Sequence, residues 1–138
     1  MEWNRSNYSI TDDKSKTDPD YVYRLLSSTY WSKTRPRHVI EKMIEGSVCF
    51  TLFKDSEQIG FARAVTDCAT FAWLADIVID SRYRGKGLGL WMVECIVSHH
   101  SLKDTQMALQ TRDAQSLYKK FGFSSANAIM SKRTFTVS

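Results

Sequence analysis

The ten residues Asp80 to Gly89, DSRYRGKGLG, join an apolar run of strand character to an amphipathic helical pattern, and no other stretch constrains the chain as much. Consecutive main-chain N–H groups from Arg84 to Gly89 can converge on one ligand there, because Gly85, Gly87 and Gly89 permit positive φ or close approach. The positive end of the following helix dipole adds to the charges of Arg82, Arg84 and Lys86. A phosphorylated ligand suits such a cradle. A Walker loop would need G-x-x-x-x-G-K followed by Ser or Thr, and a dinucleotide fingerprint would need G-x-G-x-x-G with an acidic residue on a second strand. The spacing here is G-x-G-x-G, which satisfies neither.

The flanks define what carries this loop. Phe71 to Ile79, FAWLADIVI, reads as a central strand covered on both faces. Behind the loop, Leu88, Trp91, Met92, Cys95, Ile96 and His99 recur at helical spacing, a stripe that presses on a sheet. Met107 to Thr111 predicts a short strand. Asp113 to Phe121 predicts a short helix with Leu117, Tyr118 and Phe121 on one side, ended by Gly122 in a left-handed conformation.

Upstream, Asn7 to Thr11 reads as a first strand. Asp18-Pro19-Asp20 starts a helix carrying Val22, Leu25, Leu26 and Thr29. Pro36 opens a second helix, striped by Val39, Ile40, Met43 and Ile44 and closed at Gly46. Ser47 to Lys54 and Gln58 to Asp67 form a hairpin across Asp55-Ser56-Glu57, and Ala128 to Thr136 reads as a last strand.

Two motifs carry a family resemblance. Arg82-x-x-Gly85-x-Gly87 resembles the R/Q-x-x-G-x-G/A pyrophosphate loop of the GCN5-related N-acetyltransferases (GNAT), and LYKKFGF, Leu117 to Phe123, looks like that superfamily's second hallmark. Both occur in the family's order. The element order βααβββαβαβ resembles the acetyltransferase fold over essentially the whole chain: α/β, with a mixed, mostly antiparallel central sheet flanked by about four helices.

The resemblance implies a co-substrate, acetyl-coenzyme A, and transfer of its acetyl group to a primary amine of a small molecule by direct attack in a ternary complex. Arg84, Gly85, Lys86, Gly87, Leu88 and Gly89 then hold the pyrophosphate. The main-chain N–H groups of Ile77, Val78 and Ile79, where a bulge splays the sheet, serve the oxyanion and the pantetheine arm. Tyr118 faces the coenzyme sulfur as general acid, a role open to a phenol that is neutral at pH 7. Many relatives carry Asn seven residues before that tyrosine; here the position is Thr111, whose hydroxyl is a shorter cofactor contact than an amide.

The acceptor side is less defined. Asp76 interrupts the apolar strand and Asp67 ends the preceding one, so each is a candidate base near the cleft, and each also reads as a buried or turn aspartate. Tyr30, Trp31, Lys33, Arg35 and Arg37, between the first two helices, combine aromatic platforms with positive charge. If they line the acceptor pocket, they favour an amine that also bears a carboxylate or phosphate; equally, Trp31 anchors the core and the charges form a solvated rim. A catalytically idle acyl-coenzyme A sensor or interaction module on the same fold is the alternative reading.

Composition narrows the remainder. A chain of 138 residues with 43% hydrophobic and 25% charged content suits one domain spanning 1–138. The net charge of +4 is spread over small basic groups without a recognition motif, which argues for coenzyme phosphates and against nucleic acid. No apolar run approaches the ~18 residues of a membrane span and the amino terminus lacks an apolar signal core, so a cytoplasmic location without membrane contact is expected. Cys49, Cys68 and Cys95 lie in apolar patterns and read as buried reduced thiols; with His99-His100 lacking a cysteine pair, no metal site is expected. A homodimer is left open.

Overall fold

Asp18 and Pro19 begin the first helix as their chemistry dictates: the Asp18 carboxylate accepts from the Asp20 N–H at 2.9 Å, and proline occupies the first turn, where its missing N–H costs nothing. This computed structural model describes residues 1–126 and 128–132. Its strands are β1 (Glu2–Arg5), β2 (Tyr8–Thr11), β3 (Val48–Lys54), β4 (Glu57–Thr66), β5 (Phe71–Ile79) and β6 (Gln106–Ala108). Its helices are α1 (Pro19–Ser27), α2 (Arg37–Glu45), α3 (Leu88–Ser98) and α4 (Gln115–Lys119).

One six-stranded sheet runs β1-β2-β3-β4-β5-β6, antiparallel throughout except for the parallel β5–β6 pair. On one face, α3 presses Trp91, Met92 and Ile96 onto Phe50, Leu52 and Leu74. On the other, Val22 and Leu26 of α1 and Ile40 and Ile44 of α2 pack over Phe61 and Val78. The sheet is therefore the middle layer of three, as the apolar run of β5 requires.

A bulge organises β5. Its register with β4 shifts between the pairs Phe61↔Val78 and Arg63↔Ala75, and Asp76, in the extra length, has φ 55°. Side chains alternate faces along a strand, so an added residue reverses the parity. Leu74 accordingly faces α3, whereas Val78 faces α1 and α2. Beyond Trp73 the register of β5 with β6 ends, so the two strands part along the rest of β5.

Several expectations are corrected. A strand, β1, precedes the expected first one and forms a hairpin with it; Trp3 packs on the core, but the polar Glu2, Asn4 and Arg5 hid the pattern. The short strand and helix near the carboxyl end contract to Gln106–Ala108 and Gln115–Lys119. Residues 128–132 form no strand, and the rest of the expected Ala128–Thr136 strand lies outside the described residues. Cys49 and Cys95 are buried, but Cys68 is exposed, because it belongs to the tight turn after β4. His99 is buried at the end of α3, where its ring meets the Asp12 carboxylate at 2.8 Å.

Met92 lies fully buried in the α3 layer, whereas Val65 on β4 is 42% exposed. Met92→Ala should cost about 2–5 kcal/mol in urea unfolding, and Val65→Ala less than ~1 kcal/mol. Equal losses would contradict this assignment of the core.

Candidate active site

The loop after β5 is held by its first residue. Asp80 accepts from the Arg82 main-chain N–H at 3.0 Å, from the Arg82 guanidinium and from the Tyr21 hydroxyl at 2.6 Å. Arg82, with Tyr21 and the main-chain bond assisting, holds the Asp80 carboxyl well below the usual range. Arg82 reaches on to Glu57 at 2.7 Å, so its charge is spent on ordering the turn. Gly85 and Gly87 follow at φ 79° and 76°, with nothing within 4 Å of where a Cβ would stand. Only glycine takes this backbone without strain, and it leaves main-chain N–H groups bare at the positive end of α3.

This loop lines a cavity of about 640 Å³. Its walls are the end of β5 (Ile77, Val78, Ile79), the loop from Arg84 to the start of α3, residues 28–31 after α1, and Asp113, Ala114, Leu117 and Tyr118 around α4. Lys86 is exposed at the loop tip, outside the lining. A second cavity, of about 110 Å³, lies between the parted strands and shares Trp31, Ile77, Asp113, Ala114 and Tyr118 with the first. Thr111 lines this smaller space, its hydroxyl accepting from the Ala114 N–H at 3.1 Å.

Tyr118 is set by the end of its own helix. The Gly122 N–H bonds the Lys119 carbonyl, the Phe123 N–H returns to the Tyr118 carbonyl, and the rings of Tyr118 and Phe123 meet edge to face at 5.9 Å. With Gly122 at φ 89°, this is the left-handed helix stop with its hydrophobic contact. Burial, aided by the Asp113 charge, pushes the phenol up to about 12. It therefore stays protonated across the neutral range.

The expected acceptor-side residues separate. Asp67 caps the turn before β5, accepting from Thr70 and from main-chain N–H groups, and it lines neither cavity. Asp76, 1% exposed, receives three donors: Arg63 Nε at 2.6 Å, Arg35 Nη1 at 2.9 Å and Trp31 Nε1 at 3.0 Å. Burial would raise its carboxyl, but the two guanidinium groups outweigh burial and leave it below the ordinary 3.8. Trp31 lines both cavities, whereas Arg35 lines neither and turns to Asp76.

Sequence reasoning missed Asp113 and Arg112. Asp113 lines both cavities, and Arg112 stacks its guanidinium 3.9 Å over Tyr30, which in turn meets Trp31 edge-on at 5.0 Å. The stack ties the loop after α1 to the loop after β6 across the opening. No spacing in the sequence marks that contact. Among the described residues, no group of three His, Cys, Asp or Glu side chains could hold a metal ion.

With this geometry, comparison with known proteins is direct. Residues 45–125 match the acetyltransferase (GNAT) domain. The chain superposes on the crystal structure of a provisionally named GNAT-family acetyltransferase from Xanthomonas campestris pv. campestris with a TM-score of 0.89 and 30% identity, covering 95% of this chain and 96% of that one. A GNAT-family acetyltransferase from Elizabethkingia anophelis, solved with acetyl-CoA bound, shares the fold at a TM-score of 0.68 and 16% identity, over 89% of this chain and 80% of that one. A provisionally named acetyltransferase of Gibberella zeae is 26% identical over an alignment of 114 residues, with 68% of this chain and 64% of that protein covered. An uncharacterized N-acetyltransferase of Gracilaria tenuistipitata var. liui is 31% identical over an alignment of 107 residues, with 72% of this chain and 58% of that protein covered. The chain thus spans less than two thirds of the length of these two relatives. It belongs to the GNAT acetyltransferase family.

Asp76→Asn keeps the shape but removes the counter-charge of two arginines, and should cost roughly 3–5 kcal/mol at pH 7. Because the folded carboxyl lies below 3.8, its contribution is complete above that pH and is lost as pH falls through the folded value. Urea titrations from pH 7 to pH 2.5 should show a steep acid loss in the wild type and a shallower one in the variant. Parallel acid limbs would remove Asp76 from this role.

Proposed function

We propose that this protein is an acetyl-coenzyme A-dependent N-acetyltransferase that acylates a primary amine of a small molecule by direct attack in a ternary complex. The observation that carries this reading is that Tyr118, the end of β5 and the Gly85–Gly87 loop line one cavity. The residues fit the co-substrate: bare main-chain N–H groups at the start of α3, with Arg84 beside them, suit phosphates, and Ile77, Ile79 and Leu117 offer an apolar wall to a pantetheine arm. The acetyl-CoA held by a fold relative points the same way.

Acetyl-coenzyme A, when bound, supplies a thioester whose carbonyl carbon takes the amine lone pair as the C–S bond breaks and a thiolate departs. The chain's part is electrostatic. Main-chain N–H groups at the end of β5 are the proposed donors to the carbonyl oxygen: those of Ile77 and Ile79 point to the side that β6 leaves, whereas Val78 pairs with Phe61 of β4 and supports them. Tyr118 donates to the sulfur. Burial and the Asp113 charge keep the phenol protonated across the neutral range, so its proton is available to the departing sulfur. Tyr118 is the general acid: the thiolate takes the phenol proton, and solvent returns one to Tyr118. The amine must arrive neutral and sheds one proton after the C–N bond forms. The free thiols Cys49, Cys68 and Cys95 suit a reducing compartment, in keeping with a cytoplasmic enzyme.

Tyr118→Phe should lower kcat about 10²-fold or more while acetyl-coenzyme A affinity changes little. Normal turnover would remove the phenol from the chemistry. Acetyl-coenzyme A at ~100 times its Kd should stabilise the fold by about 2.7 kcal/mol, and Gly87→Val should abolish the effect. Equal stabilisation by NAD or ATP would overturn the specific ligand, and binding without turnover on any amine would identify an idle acyl-coenzyme A sensor.

A further inference from the structure

The sheet gives the opening two sides. The glycine loop runs into α3, which covers one face, whereas residues 28–31 extend from α1, which covers the other. With coenzyme phosphates at the start of α3, an acceptor meets the thioester from the α1 side. Arg112 is presented there: it is exposed, and its guanidinium lies 3.9 Å from the centre of the Tyr30 ring. Stacking covers the flat of a guanidinium and leaves the N–H donors at its edge free. Among the described residues Arg112 makes no hydrogen bond or ion pair, whereas Arg35 and Arg63 bond Asp76, Arg37 pairs with Asp20 and Glu41, and Arg82 pairs with Asp80 and Glu57. Its platform is fixed, because Tyr30 meets Trp31 edge-on at 5.0 Å and the Trp31 indole donates to the buried Asp76 at 3.0 Å. The two guanidinium groups on Asp76 exceed its single charge, so the joint behind the stack is itself net positive. Asp113, next in the chain, sets a carboxylate at the mouths of both cavities.

We infer that Arg112 reads an anionic group on the acceptor: the amine carries a carboxylate or phosphate whose oxygens take the donors at the guanidinium edge, while Asp113 faces its ammonium end. The inference rests on the acetyltransferase reading. It keeps the anionic amine expected from the basic loop after α1 and assigns its recognition to a different residue, since Arg35 is taken by Asp76. A guanidinium already stacked and held gives up less freedom on binding than a loose one, and carboxylate and phosphate both match its fork. Arg112 selects the substrate and takes no part in bond making. The amine nitrogen gains the acetyl carbon, the C–S bond breaks, the thiolate takes the Tyr118 proton, and the amine sheds one proton to solvent.

β-Alanine carries a carboxylate where propylamine has a methyl group, and O-phosphoethanolamine adds a phosphate to ethanolamine. With acetyl-coenzyme A, the wild-type protein should favour the anionic member of at least one pair by ~10-fold or more in kcat/KM, and the pair that responds names the group. Arg112→Gln should raise the KM for that anionic amine about tenfold, while its kcat and the KM for the neutral partner move much less. Arg112→Lys, which keeps the charge without the fork, should restore part of the loss. The acetyl-coenzyme A Kd, measured on each variant, should not follow, and it also reports that the variant folds. Independently of turnover, propionate or inorganic phosphate added to the coenzyme A-bound protein should shift the Arg112 Nε–H resonance saturably. That signal is assigned by its loss in Arg112→Gln. Neutral and anionic partners used equally, or Arg112→Gln acting alike on both, would overturn the proposal. So would a matching rise in the acetyl-coenzyme A Kd, which would place Arg112 on the coenzyme. If none of the four amines is acetylated, the anion site stands on the Arg112 shift and falls without it. If acetyl-coenzyme A binds and no amine at all is acetylated, the acetyltransferase reading fails by itself.

Discussion

One buried carboxylate holds the cleft in shape. Asp76 stands at the bulge that reverses the parity of β5, in a left-handed conformation that most side chains avoid and that aspartate tolerates better than most. From there it accepts from Arg63 of the neighbouring strand and from Trp31 and Arg35 of the connection after α1. Three elements meet on two oxygens. β5 and β6 part beyond Trp73, just ahead of the bulge, and Asp76 fixes Trp31 as a wall of the opening there. An unpaired buried carboxylate would be costly; two guanidinium groups and an indole N–H turn it into a specific joint.

That joint redistributes the charge on which an acceptor would act. Arg35 looks like an anion reader in sequence, yet in the fold it neutralises an aspartate of the chain itself. At the cavity mouths on this side stand the carboxylate of Asp113 and, over the Tyr30 ring, the guanidinium of Arg112. Opposite, the glycine loop keeps Arg84 and its bare amides, while Arg82 is drawn aside to Asp80 and Glu57. The cleft thus has a positive, main-chain-rich end at the start of α3 and a smaller end edged by Asp113 and Arg112. Tyr118 stands between them, fixed by the helix stop at Gly122 and Phe123.

The parts legible in sequence were those written in local chemistry. The apolar run Phe71–Ile79 is the observed β5, residue for residue, and the glycines of the loop adopt the positive φ that their placement implied at Gly85 and Gly87. The helix starts at Asp18-Pro19 and after Pro36, and the stop at Gly122, follow from capping rules. What escaped depends on contacts distant in the chain. β1 is polar at three of four positions and exists by pairing with β2. The partners of Asp76 lie 13, 41 and 45 residues away, and Arg112 meets Tyr30 through a turn with no motif of its own. Spacing rules see neighbours along a helix or strand and are blind to such meetings.

The central claim is that the end of β5, the glycine loop and Tyr118 act as one acetyl-coenzyme A site. Its most direct test is a titration of isotopically labelled protein with acetyl-coenzyme A, followed by amide and tyrosine ring resonances. The account predicts that the amides of Ile77, Val78, Ile79, Gly85, Gly87 and Gly89 and the Tyr118 ring shift together along one saturation curve. Saturable binding that leaves those signals in place and moves others would contradict it.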